Sequence, residues 1–218
     1  MTDKQFWTKR WQENRIGFHE GRVNRYLREY WQRLDAPPDQ SVFVPLCGKA
    51  VDLAWLHERG HRVIGVELSK VACRGFFTDR GIEPTVTETG AFVHYSSDGI
   101  ELLCGDFIDL TRGHLQGASL FYDRAALIAL PEHMRPRYCD HLAEIAGPDA
   151  RGLLITLDYP QQAFAGPPFA VPDSEVHRHL GRHFAVEALY HAPIQPDDPL
   201  RERGLSQATE SVFSLSRR

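Results

Sequence analysis

The feature that most constrains the fold is a series of short apolar segments that alternate with helical patterns between residues 41 and 159. Each apolar segment is continuous, which is typical of a strand buried on both faces of a parallel sheet. Helical spacing of apolar residues between them predicts crossover helices. The predicted strands of this series are 41–47, 61–68, 118–124 and 152–159. This alternation predicts a doubly wound α/β fold.

Further strands are predicted on either side of this series. Two apolar runs within 91–106 flank the dipeptide Asp98-Gly99, which favours a tight hairpin turn. Segments 184–194 and 208–218 are predicted to be two antiparallel strands that close the sheet. We therefore expect a mixed sheet.

Residues 1–35 stand apart from this alternation. Trp7 and Trp11 are four positions apart and share one face of a predicted helix. A second helix is predicted before the prolines at 37–38, with a glycine-containing loop between the two. This helical pair either caps an edge of the sheet or forms a lid over a ligand. We expect residues 1–218 to form one domain, because about 200–250 residues commonly make a single α/β unit.

Composition excludes several classes of protein. The net charge is −4 with no basic stripe, which argues against a nucleic-acid partner. No apolar run reaches the ~18–20 residues of a membrane helix, and the N-terminus lacks the apolar core of a secretory signal. A cytoplasmic protein without a membrane partner is therefore expected. The four cysteines form no CxxC pair and the histidines show no ligand spacing, so no metal site is expected.

Two strand ends carry residues suited to ligand binding, since ligands of doubly wound sheets bind beyond the carboxyl ends of the strands. Glu67 ends the second strand, 19 residues after Gly48. It is placed either to accept hydrogen bonds from a ribose diol or to favour the dipole of the next helix. Arg124 ends a later strand and either binds a carboxylate as a bidentate donor or pairs with Asp123 or Asp158.

The first strand-helix turn, VPLCGK, has one glycine, whereas a dinucleotide-binding turn has three. A pyrophosphate needs several accessible backbone N–H groups, and Leu46 and Cys47 would crowd it. The turn therefore favours a ligand with an adenosine ribose and no pyrophosphate, a description that S-adenosylmethionine meets. Lys49 is not a P-loop lysine, because the upstream glycine at the spacing of that motif and the following Ser or Thr are absent.

Three segments are more specific than this general pattern: FWTKRWQENRIGFHEG, VPLCGKAVDLAWLHERGHRVIGVELS and LFYDRAALIALP. They strongly resemble thiopurine S-methyltransferases, particularly the bacterial type, and the similarity extends from Phe6 to the C-terminus. The resemblance implies a Rossmann-like, mixed seven-stranded sheet of the class I methyltransferase type with an N-terminal helical lid. It also implies methyl transfer from S-adenosylmethionine to the sulfur of aromatic or heterocyclic thiols such as thiopurines, with selenium or tellurium species as further acceptors.

The resemblance further implies roles for individual residues. Those matched to cofactor contacts are Trp11, Leu46, Glu67, Asp106, Phe107 and Arg124. Those matched to the thiol acceptor are Phe18 and Arg203. No catalytic base is expected, because the sulfonium is already activated and the enzyme chiefly needs in-line positioning with water excluded. A monomer with a small-molecule thiol substrate is expected.

Other functions fit the same fold. An S-adenosylmethionine-dependent O- or N-methyltransferase is separated from this interpretation by a screen of acceptors. A nicotinamide-dependent dehydrogenase is disfavoured by the VPLCGK turn. A non-catalytic small-ligand-binding protein is disfavoured by the combination of Glu67 with Trp11 and Phe18, and slow turnover with every thiol would favour it again.

Overall fold

Seven α-helices and nine β-strands are found in the part of the chain that the structure, a computed structural model, describes: residues 3–17 and 19–218. The helices are α1 (Asp3–Gln12), α2 (Arg25–Tyr30), α3 (Val51–His57), α4 (Lys70–Thr78), α5 (Arg135–Ile145), α6 (Asp173–His179) and α7 (Pro199–Glu202). The strands are β1 (Val42–Val44), β2 (Val63–Glu67), β3 (Thr85–Thr89), β4 (Phe92–Ser97), β5 (Ile100–Cys104), β6 (Leu120–Arg124), β7 (Arg151–Asp158), β8 (Phe184–Pro193) and β9 (Thr209–Arg217). No helix within these described ranges is long and apolar enough to cross a membrane.

The strands form one sheet in the order β3-β4-β5-β2-β1-β6-β7-β9-β8. Strands β5, β2, β1, β6 and β7 are parallel, and antiparallel pairs flank them on both sides. The order reverses at β1, which lies between β2 and β6. The predicted doubly wound mixed sheet is therefore confirmed, and its ligand crevice is expected beyond the carboxyl ends of β1, β2 and β6.

Side chains of the central strands alternate between two apolar layers. Val42 and Val44 of β1 pack in the layer that contains residues of α2, α3 and α4. Phe43 packs in the other layer, with residues of α5 and α6. All three side chains are buried. A strand covered on both faces needs apolar residues at every position, which explains the continuous apolar run of the sequence.

The expected number of seven strands is wrong, since the sheet has nine. The two additional strands, β3 and β4, form an antiparallel hairpin at the edge beyond β5. The sequence does not predict β3, because TVTET is exposed at every position and so has no apolar face. An edge strand of this kind is specified by its pairing with β4 rather than by burial.

The two N-terminal helices occupy different environments. Tyr26 and Leu27 of α2, and Trp31 and Leu34 of the 3-10 turn after it, are buried in the apolar layer beside β1. Trp11 of α1 is also buried, but no described residue of α1 belongs to the apolar clusters of the core. The helical cap or lid expected over residues 1–35 therefore divides into a core helix and an outer helix, α1.

Candidate functional site

A cavity of about 930 Å³ lies at the carboxyl ends of the central strands. One part of its lining comes from residues within 44–52, 66–68, 105–109 and 122–125, which lie at or just after the carboxyl ends of β1, β2, β5 and β6. The remaining lining comes from α1 and the loop after it, and from residues within 128–138, 167–168 and 198–203. Small-molecule sites typically enclose roughly 300–1,000 Å³. The cavity is therefore large enough for a cofactor together with a second small molecule.

The loop after β1 is shaped by two residues with left-handed backbone conformations. Leu46 has a φ of 47° and Gly48 a φ of 55°. A side chain at Gly48 would also meet the Trp11 ring, whose nearest carbon lies 3.0 Å from the position of an added Cβ. Glycine is thus favoured here both by the backbone and by the approach of α1. Leu46 and Trp11, two of the predicted cofactor contacts, both line the cavity.

Glu67 lies at the end of β2 with its side chain buried. One carboxylate oxygen accepts a hydrogen bond from the Gly48 N–H at 2.9 Å, and the other accepts one from the Ser69 N–H at 2.8 Å. Burial raises the pKa of Glu67 to about 7, although these N–H groups favour the ionised form and oppose the shift. The carboxylate lines the cavity and still has lone pairs for further donors.

Arg124 ends β6 at the other side of the strand reversal. Its Nη2 lies 3.4 Å from an Asp52 carboxylate oxygen, and its Nη1 lies 3.8 Å from Glu20. Tyr122 donates its hydroxyl hydrogen to the same Asp52 oxygen at 3.1 Å. The Arg124 pKa is raised by the neighbouring Tyr122 and Asp52, which outweighs the lowering effect of its burial. The guanidinium therefore remains a permanent positive charge in the cavity.

Asp106 and Phe107 follow β5 and line the cavity. The Asp106 carboxylate accepts a hydrogen bond from the Ile108 N–H at 3.1 Å, which caps a short 3-10 turn, and it forms an ion pair with Lys4 of α1. The Phe107 ring is largely buried against Tyr138, with the ring centroids 4.7 Å apart. Phe107 thus belongs partly to the core, and the Lys4 ion pair joins α1 to this side of the cavity.

The two predicted acceptor residues differ in what the structure describes. Arg203 follows α7 and lines the cavity, with its guanidinium 5.0 Å from the centroid of the Phe164 ring. Phe18 lies outside the described residues. The structure therefore brings every described member of the predicted site, from Trp11 to Arg203, to the lining of one cavity.

Asp52 is one of the cavity residues that the sequence analysis did not predict. It lies in the first turn of α3 and is completely buried. It is the one charged residue in the apolar segment AVDLAWL. An acidic residue on the buried side of a helix near the strand reversal was an available signal, because buried carboxylates require partners.

Among the described residues, no group of three or more His, Cys, Asp or Glu side chains is arranged to hold a metal ion.

Comparison with known proteins identifies the family. A family model described as thiopurine S-methyltransferase matches residues 2–218. The chain belongs to the thiopurine S-methyltransferase family. A relative named thiopurine S-methyltransferase from Pseudomonas fluorescens is 47% identical over 212 residues, covering 97% of each chain. One of the same name from Marinobacter nauticus is 46% identical and covers 98% of each chain.

A solved structure shows the same fold. Magnesium protoporphyrin IX methyltransferase from Synechocystis, determined with bound S-adenosylhomocysteine, has a TM-score of 0.67, with 13% identity and complete coverage of both chains. The membership of the family and this likeness confirm the predicted family, the class I methyltransferase type of fold and the class of enzyme. The roles of the individual site residues remain predictions.

Proposed function

We propose that this chain transfers a methyl group from S-adenosylmethionine to the sulfur of aromatic or heterocyclic thiols. The observation that carries the proposal is the buried Glu67 carboxylate at the carboxyl end of β2, in a chain of the thiopurine S-methyltransferase family. The relatives that share 42–47% identity bear that enzyme's name. The structurally similar Synechocystis methyltransferase contains S-adenosylhomocysteine, which supports the same cofactor here.

The residues of the cavity fit such a cofactor. Glu67 offers carboxylate oxygens to the two hydroxyls of a ribose, and Arg124 offers a guanidinium to an amino-acid carboxylate. The loop after β1 has the crowding expected of a site without a pyrophosphate, since Leu46 lines it and Trp11 lies against Gly48. Asp106 and Phe107 are proposed to border the adenine. When bound, S-adenosylmethionine supplies a sulfonium methyl group that is activated for attack by a thiolate.

The protein's own contribution is mainly to position the reactants and to exclude water. Trp11 of helix α1 lies against Gly48 in the loop after β1, and Lys4 of the same helix forms an ion pair with Asp106. We propose that α1 acts as a lid over the bound reactants. A thiolate is a good nucleophile, so none of the cavity residues is assigned as a general base.

The thiol is proposed to bind next to Arg203 and residues 167–168, which border the cavity near α7. Arg10 of α1 reaches the same cavity, and its pKa is lowered by burial and by neighbouring positive charges, Arg203 among them. Two cations that repel each other are stabilised by an anionic ligand. Arg10 and Arg203, together with Pro167 and Pro168, therefore suit a planar thiol that reacts as its thiolate.

A panel of acceptors tests the proposed function. With S-adenosylmethionine as the donor, we expect aromatic thiols to be methylated far faster than glycine, histamine or catechol. Production of S-adenosylhomocysteine is measured for each acceptor, and the methylated atom is identified by mass spectrometry. Preferential methylation of oxygen or nitrogen would contradict the assignment of sulfur. Slow turnover with every thiol would instead favour a non-catalytic ligand-binding protein.

The raised pKa of Glu67 predicts how cofactor affinity depends on pH. Hydrogen bonds from the ribose favour the ionised carboxylate, so binding must compete with protonation at a pKa of about 7. The affinity for S-adenosylhomocysteine is expected to rise about tenfold from about pH 6 to about pH 8. Calorimetric titrations across this range measure the slope, and the Glu67→Gln protein, which has no carboxylate to ionise, should lack it. An equal slope in both proteins would assign the titration to another group.

The same raised pKa has the opposite consequence for the protein without ligand. The Glu67 pKa increases from its ordinary value of 4.5 to about 7 on folding. Its contribution to the free energy of unfolding is therefore complete below about pH 4.5 and is lost as the pH rises through about 7.

A monomeric state, a cytoplasmic location and activity toward selenium or tellurium species are further parts of the proposal and need separate measurements.

A further inference from the structure

Asp52 connects three separate parts of the chain at the edge of the cavity. One carboxylate oxygen accepts a hydrogen bond from the Asn24 N–H at 2.8 Å, just before α2. The other accepts a hydrogen bond from the Tyr122 hydroxyl and lies 3.4 Å from Arg124 Nη2. The Asp52 side chain has no exposed surface. A carboxylate removed from water in this way is stabilised by these hydrogen bonds and by the nearby guanidinium.

The contact with Asp52 is the closer of the two ion pairs that Arg124 makes with the described acidic side chains. The Arg124 side chain is 11% exposed, and its second acidic neighbour, Glu20, is 41% exposed and 3.8 Å away. An ion pair with an exposed carboxylate contributes little and does not fix an orientation. The buried Asp52 and Tyr122 therefore set the direction of the guanidinium. Because Asp52 faces Nη2, other N–H donors of Arg124 remain for a ligand in the cavity.

We propose that Asp52 is a positioning residue that holds the Arg124 guanidinium in the orientation that binds the cofactor's amino-acid carboxylate. This inference rests on the proposed function, in which Arg124 makes that contact. Asp52 does not touch the cofactor in this arrangement and acts through Arg124. Its effect should therefore depend on whether the ligand has a carboxylate, whereas a purely structural effect should not.

The test compares two ligands that differ in one group. Affinities for S-adenosylmethionine and for decarboxylated S-adenosylmethionine are measured by calorimetry without acceptor, and their ratio gives the carboxylate preference. Asp52→Asn keeps an oxygen that can accept from the Asn24 N–H while removing the charge that faces Arg124. We expect its carboxylate preference to fall about tenfold, the range of one hydrogen bond to a charged group. Affinity for the decarboxylated ligand should stay within about twofold of the wild-type value.

Asp123→Asn is the matched control. Asp123 is also buried, and its carboxylate accepts hydrogen bonds from the Tyr138 hydroxyl at 2.7 Å and from the Leu127 N–H at 3.1 Å. It neighbours Arg124 in sequence, but these hydrogen bonds go to Tyr138 and Leu127 rather than to Arg124. Both variants are expected to unfold at lower temperature, because each weakens a buried carboxylate network. Only Asp52→Asn should change the carboxylate preference.

Arg124→Met separates failure of this inference from failure of the proposed function. If Arg124→Met loses the carboxylate preference while Asp52→Asn keeps it, Asp52 is not a positioning residue. The same conclusion follows if Asp52→Asn weakens both ligands equally or strengthens S-adenosylmethionine binding by releasing Arg124. If Arg124→Met keeps the preference, the assignment of Arg124 to the carboxylate is itself wrong.

Discussion

Deletion of residues 1–20 is expected to leave a cooperatively folded protein that has lost most of its affinity for S-adenosylmethionine and essentially all turnover. No described residue of the deleted segment lies in a strand, and none of those in α1 belongs to the apolar clusters of the core. The core helix α2 begins only at Arg25. Trp11, by contrast, is buried against Gly48 in the proposed cofactor loop, so its removal opens the cavity to water.

Thermal unfolding, calorimetry and turnover of the truncated chain measure these three expectations. In the intact chain, saturating S-adenosylhomocysteine should slow proteolytic cleavage within α1. Glu13→Ala is a suitable control, because Glu13 forms ion pairs with the exposed Lys9 and Arg15 and is outside the cavity lining. That variant should keep both protection and turnover. Equal cleavage with and without ligand, or a truncated chain that fails to fold, would make the segment structural.

The Glu67→Gln substitution is expected to lower the affinity for S-adenosylmethionine by about tenfold or more, with a smaller effect on the chemical step. The glutamine amide keeps one acceptor oxygen, but its NH₂ group would face a backbone N–H of Gly48 or Ser69. Two donors then oppose each other in a buried site, and the charge that attracts the ribose hydroxyls is lost.

Ser69→Ala provides the control for damage to this turn. The Ser69 hydroxyl caps α4 through the Ala72 N–H, whereas its backbone N–H binds Glu67. The alanine variant therefore loses about 1 kcal/mol of helix capping but keeps the Glu67 contact. Its cofactor affinity should be unchanged. Unchanged affinity in Glu67→Gln as well would remove Glu67 from the proposed site.

The central fold could be predicted because its residues are constrained by burial. The apolar runs of β1 and β2 are covered on both faces, and such runs have few alternative structures. The position of the candidate site could be predicted from the strand ends, since Glu67 ends β2 and Arg124 ends β6. This prediction does not depend on the contacts that the two side chains make. Trp11 and Arg203 were placed by family resemblance rather than by periodicity.

Other features could not be predicted because they depend on contacts between distant segments. Strand β3 is defined by its partner β4 and has no buried face of its own. The partners of Asp52 lie 28 to 72 positions away, at Asn24 and Arg124, and no local pattern links them. The different environments of α1 and α2 likewise depend on tertiary contacts, since α2 packs in the apolar layer beside β1.

The cavity lining is divided along the chain in a way that bears on how such enzymes diversify. Apart from Trp11 of α1, the residues proposed to contact the cofactor lie within 44–125, whereas Arg203 and the prolines at 167–168 come from a later stretch. Substitutions in the later stretch can thus alter the choice of acceptor while the donor side stays intact. A library confined to residues 160–205 therefore offers a route to new methyl acceptors at unchanged cofactor affinity.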